Sequence, residues 1–197
     1  IRFPFILHSS YPHEILHNWL GNGVFPVLKE GNWSEGLTAY LSDHLLQELK
    51  GKGPQYRFNE IMKFSNYVNE KNDFPLSKFL YRENMSSQAI GYTKLLMVFH
   101  MLRAEIGDDF FLKGLSDFYK KYEYRYAGYE AMQNSFENVS GMELGWFFEQ
   151  WIQRVAAPKI KLKQASFLAA KFGYDLIFQV EQSAPGFRIK LPIAIWV

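Results

Sequence analysis

Two histidines four positions apart, with a glutamate directly after the first, constrain this chain more than any other feature. His13-Glu14-Ile15-Leu16-His17 is an H-E-x-x-H pattern. The pattern has meaning only on a helix, where positions i and i+4 share one face, about 6 Å apart along the axis. Both imidazoles then reach one metal ion, while Glu14 projects to the side and can address a water instead. A zinc site built for hydrolysis takes three protein ligands and keeps a fourth position open. The third ligand must come from another element. Glu35, in Gly31-Asn32-Trp33-Ser34-Glu35-Gly36, is the candidate, with seventeen residues between it and His17. Two antiparallel helices joined through residues 21–33 would set it opposite the histidines. The expectation is one zinc per chain on His13, His17 and Glu35, with a water whose pKa falls to about 7. Glu14 would take that water's proton and return it to a leaving amine. Histidines at this spacing also occur as ordinary helix residues. An acidic ligand at workable spacing, and polar groups breaking an apolar run (Ile15, Leu16, Trp19, Leu20), favour the metal site.

A resemblance follows from longer stretches. Residues 13–22, His-Glu-Ile-Leu-His-Asn-Trp-Leu-Gly-Asn, and then Trp33-Ser34-Glu35-Gly36-Leu37-Thr38-Ala39-Tyr40 resemble the gluzincin aminopeptidases of the aminopeptidase N and leukotriene hydrolase type. The resemblance implies that His13, His17 and Glu35 are zinc ligands and Glu14 the catalytic base. The family's gap before the glutamate is one residue longer than the seventeen here. Gly91-Tyr92-Thr93-Lys94, followed by Val98-Phe99-His100-Met101-Leu102-Arg103, is similar to a second family stretch. It implies that Tyr92 donates to the oxyanion, a contribution worth about a hundred- to a thousandfold in rate. Leu95 stands where that stretch has glycine. Phe147-Phe148-Glu149-Gln150-Trp151 and Pro158 resemble the end of the family's helical region, with Ala157 in place of a glycine.

The resemblance spans residues 12–197. Its upstream Gly-x-Met-x-Asn segment, which helps grip a substrate amine, has no counterpart. The chain therefore resembles a piece of a larger enzyme, whose missing N-terminal part would be its partner beside a peptide substrate. The implied fold is mostly α: a thermolysin-like helical part of a zinc metallopeptidase catalytic domain over 1–157. The start of a β-sandwich-like module would occupy 158–197. The implied activity is release of N-terminal residues from peptides. Two alternatives stand beside it. One is a zinc hydrolase of another class, an endopeptidase or epoxide hydrolase. The other is a zinc-stabilised binding module, which would have no use for Glu14.

Composition excludes little else. Net charge is +2 and no basic run appears, so nothing points to nucleic acid. There are no cysteines, which rules out disulfides and thiolate metal sites without choosing between cytosol and export. No apolar run approaches the length needed to span a membrane. Aromatic residues make up 18% of the chain, material for a core first and a cleft second. The opening Ile1-Arg2-Phe3-Pro4-Phe5-Ile6-Leu7 is too short for a signal peptide and reads as a buried strand entering the site.

Periodicity predicts helices over 35–50, 56–69, 92–106, 108–122 and 128–138. Gly51-Lys52-Gly53-Pro54 reads as a terminator, and 71–90 as a long loop beside the site. Ser140-Gly141-Met142-Glu143 has capping-box spacing and predicts a helix running to about 154. The tyrosines from Tyr119 to Tyr129 read as packing and loop anchors. Alternation predicts strands over 159–163, 174–182 and 187–197. His8 could line the cleft, while His44 and His100 receive no role. Asn18 and Thr38 are candidates to orient the ligands. Ala39 stands where related zinc peptidases have an aspartate four residues after the ligand glutamate, so any such support must come from elsewhere.

Overall fold

The motif segment folds as the short helix α1, Ser10–Leu16, in the computed structural model, which describes residues 6–7 and 10–193. A tight turn carries the chain to β1, Phe25–Pro26, which pairs in parallel with β2, Tyr126–Ala127. The second helical run begins at α2, Ser34–Ala39, passes through a π-helical turn, Tyr40–His44, and ends as α3, Leu45–Glu48. Next is α4, Gly53–Tyr67, with Pro54 in its first turn, where a missing N–H costs nothing. Gly53 and Pro54 therefore open a helix, rather than only closing the preceding one.

Residues 71–90 are more ordered than a loop. They hold a 3₁₀ turn, Leu76–Lys78, and α5, Met85–Gln88, which runs through a second π turn, Ala89–Lys94, into α6, Leu95–Ile106. Asn84 starts α5 with a reciprocal cap to Ser87. Gly107, at φ 86°, separates α6 from α7, Asp108–Tyr122. Helix α8, Tyr129–Ser140, closes on Gly141 in the left-handed region, so Ser140 ends a helix and does not cap a new one. Its Oγ donates back to the Phe136 carbonyl at 2.7 Å. The next helix, α9, Gly145–Phe148, begins only after that turn and runs into a third π turn, Glu149–Gln153.

Two compact units divide at Val155 and Ala156. The first is built on aromatic residues: Trp33, Tyr40, Phe79, Phe99, Phe111, Phe118 and Phe136 are fully buried. Phe111 stacks on Phe136 at 5.5 Å, and Trp33 meets the Phe118 ring edge-on at 5.3 Å. Of the tyrosine cluster, Tyr129 is buried, but Tyr124 and Tyr126 are exposed.

The second unit is the antiparallel hairpin β3, Ile160–Ala170, with β4, Gly173–Gln182, irregular between Leu162 and Gln164. The first strand is longer than alternation predicts. Residues 187–193 form no strand, contrary to expectation. Ile6 and Leu7 are exposed and not in a strand, while residues 1–5, 8–9 (including His8) and 194–197 lie outside the described residues. No helix among the described residues is long and apolar enough to cross a membrane.

Candidate active site

Glu35 owes its position to the start of α2. Asn32 Oδ1 accepts from the Ser34 backbone N–H at 3.1 Å and from Ser34 Oγ at 2.6 Å, capping the helix from outside. Trp33, with no exposed surface, donates from Nε1 to the Ala127 carbonyl at 2.7 Å. Directly after Glu35, Gly36 lets α2 approach α6: a Cβ there would lie 2.5 Å from Leu95 Cβ and 2.7 Å from the Gly91 carbonyl oxygen. The helix carrying Glu35 is thereby brought against the run that carries Tyr92.

The predicted ligand atoms converge. His13 Nε2 and His17 Nε2 lie 3.1 Å apart, and Glu35 Oε2 is 3.5 Å from the first and 3.4 Å from the second. Each ring is held from behind. His13 Nδ1 bonds Asp43 Oδ2 at 2.9 Å, and His17 Nδ1 bonds the Leu20 carbonyl at 2.8 Å. A carboxylate and a carbonyl accept only, so each Nδ1 carries a proton and Nε2 is the nitrogen that faces Glu35 and is left to serve a metal. Burial opposes charge on His13, but Asp43 and Glu35 outweigh it and raise its pKa to about 9. The Glu35 hydrogen bond also raises His17. Burial works against the Glu35 carboxylate, yet His13, His17 and Tyr92 hold its pKa well below the usual range.

Tyr92 sits in the second π turn, its ring stacked on His13 with centroids 6.2 Å apart. Burial and the Glu35 charge keep its phenol protonated far above neutral pH. Thr93, beside it, donates to the buried Glu60 carboxylate of α4 at 2.6 Å, fixing the turn. Glu14 is exposed and lines the same cavity of about 640 Å³ as the three ligand candidates, Asp43 and Tyr92. All five predicted site residues thus come together. Thr38 only approaches His17 Nδ1, at 3.5 Å, and Asn18 bonds the Ile15 carbonyl instead.

Asp43 and the Leu20 carbonyl are the partners that sequence reading misses. Asp43 stands eight positions after Glu35. On a regular helix that is a turn of about 80° away from the Glu35 face, whereas seven positions nearly return to it. The π turn at Tyr40–His44 takes up one extra residue, so position eight arrives where seven would be. Leu20 offers only backbone, which no side-chain pattern can announce.

Two imidazole nitrogens, one carboxylate and an open cavity suit zinc better than calcium or magnesium, which prefer all-oxygen cages. A second grouping, His44, Glu48 and His100, also brings ligand atoms within 4.8 Å of one another. Guanidinium groups already use its lone pairs. Arg57 donates to His44 Nε2 at 2.7 Å and Arg103 to Glu48 Oε1 at 3.0 Å. Burial lowers the pKa of both histidines, that of His100 to about 4. With Arg57 and Arg103 supplying its positive charge, this grouping is an internal charge network.

The family model for the peptidase family M1 domain matches residues 9–151. The chain belongs to peptidase family M1. Among similar M1 relatives, the alanine/arginine aminopeptidase of Saccharomyces cerevisiae is 24% identical over 159 residues, covering 77% of this chain and 19% of the relative. The aminopeptidase N of Caulobacter vibrioides is 25% identical over 175 residues, covering 83% of this chain and 20% of the relative. The crystal structure of the M1 zinc metallopeptidase from Deinococcus radiodurans superposes with a TM-score of 0.62 at 22% identity, over 75% of this chain and 33% of that one. This likeness shows the M1 fold. The chain spans about a fifth of the length of these two aminopeptidase relatives.

Proposed function

We propose that this M1 chain carries the zinc centre of an aminopeptidase, with one zinc on His13, His17 and Glu35. Residues up to 157 would be the helical catalytic part, and those from 158 the start of a β module. The observation that carries the reading is the convergence of the Nε2 atoms on Glu35 with each Nδ1 already bonded from behind. Zinc bound there supplies Lewis acidity, which makes water more acidic and a carbonyl more electrophilic.

The remaining work falls to the chain's own groups. Asp43 and the Leu20 carbonyl fix ring orientation and tautomer. Glu14, exposed in the cavity, accepts a proton from water and delivers it to the departing amine. Tyr92 remains an O–H donor at neutral pH and stabilises negative charge as it grows on the substrate carbonyl oxygen.

The purified chain, supplied with zinc, should hold about one equivalent of metal, and Glu35→Ala much less. It should hydrolyse free-amine peptides and spare N-blocked ones, and Glu14→Gln should retain zinc and lose turnover. Cleavage of N-blocked peptides would redirect the reading to an endopeptidase. A folded chain that takes up no zinc would overturn it.

A further inference from the structure

Three carboxylates line the catalytic cavity, from Glu14, Glu35 and Asp43, and the only arginine or lysine among the described residues lining it is Arg82. Arg82 is exposed and forms no hydrogen bond or ion pair with any described residue. Its loop, however, is tightly held. The Asn32 N–H donates to the Phe79 carbonyl at 2.7 Å, and Asn32 Nδ2 donates to the Leu80 carbonyl at 2.9 Å. Phe79, fully buried, seats its ring on Gly91, where a Cβ would come within 2.1 Å of it. On the other side of Arg82, the Glu83 and Asn84 backbone N–H groups donate to Ser87 Oγ at 2.9 and 3.0 Å. The same Asn32 that caps the Glu35 helix therefore fixes this loop, and a cation without a hydrogen-bond or ion-pair partner among the described residues is presented to the cavity from a rigid mount.

Guanidinium is a planar fork that matches a carboxylate with two parallel hydrogen bonds. It also repels an ammonium group. A peptide entering the cavity is thereby given a direction, its amine away from Arg82 and its carboxylate toward it. We propose that Arg82 binds a substrate carboxylate beyond the scissile bond, biasing the site toward short peptides with a free C-terminus or an acidic residue there. This rests on the aminopeptidase reading above.

The test uses the zinc-loaded Glu14→Gln chain, which should hold peptides uncleaved, and titration calorimetry with Ala-Ala-Ala, its C-terminal amide, and the amide of Ala-Asp-Ala. A charge-assisted pair predicts that the free acid binds at least about tenfold tighter than its amide. Adding Arg82→Ala should bring that ratio close to one, and Arg82→Lys should keep part of it, because a point charge remains without the fork. A preference restored by the aspartyl amide, and lost again with Arg82→Ala, assigns the contact to a side-chain acid. Its confinement to the free acid assigns the contact to the C-terminus. An acid-to-amide ratio unchanged by Arg82→Ala, while the Glu14 protein turns over peptides, overturns this inference alone. Absence of both peptide binding and turnover overturns the aminopeptidase reading together with it.

Discussion

At the residue scale, the site depends on what stands behind the imidazoles as much as on the imidazoles themselves. Asp43 fixes the His13 proton on Nδ1, so Asp43→Ala should weaken zinc binding by about 10- to 100-fold without unfolding the chain. Competition with a chromogenic chelator would read this directly, and an unchanged affinity would show that Asp43 does not orient the ring. His100 offers a separate pH test. Burial lowers its pKa from 6.5 to about 4, with Arg57 and Arg103 acting in the same direction and Glu48 against them. The unfolded chain therefore binds more protons than the folded one across that window. The stability from keeping His100 neutral is complete above about pH 6.5 and drains away as pH falls toward 4. Melting temperature should fall from pH 7 to pH 5, and less steeply in His100→Phe. Equal slopes would remove His100 from the acid response.

At the scale of elements, small residues determine how closely the functional helices meet. Gly36→Ala pushes a methyl into Leu95 and the Gly91 carbonyl, and should cost about 1–3 kcal/mol in denaturant unfolding. It should also lower zinc affinity, since Glu35 is its neighbour. What could be read in advance follows the range of the forces involved. His13, Glu14 and His17 form a pattern within one helix turn, and Glu35 and Tyr92 are legible because longer motifs surround them. Helix α7, with acids in its first turn and lysines in its last, occupies the predicted residues. Ser140 misleads because capping-box spacing is identical whether or not the next glycine turns left-handed, as Gly141 does. Asp43 is hidden by the π turn. The parallel pairing of β1 with β2 joins residues a hundred positions apart and leaves too short a segment for alternation to register.

At the scale of the whole molecule, the unit with the candidate site is built on buried rings, whereas the second unit is a hairpin with little interior of its own. Phe167, Phe172 and Tyr174 are each at least 70% exposed. A two-stranded hairpin is at best marginally stable in water. Limited trypsin treatment should cut first between 154 and 171, at Arg154, Lys159, Lys161, Lys163 or Lys171. A fragment of about 155 residues should survive, with its metal content unchanged. Early cleavage within α4 or α7 would contradict this order of stability.

The extra residue in the Tyr40–His44 turn has a consequence for how this gene can vary. Replacing a side chain in the turn alters one contact. Losing one codon ahead of Asp43 would restore a regular pitch and leave Asp43 seven positions after Glu35, on nearly the same face. Glu48, further along the same helix, would likewise keep its face toward Arg103. At residues 41 and 42 the chain should therefore tolerate loss of one residue better than gain of one, since a deletion removes only the surplus residue while a further insertion carries Asp43 off the Glu35 face.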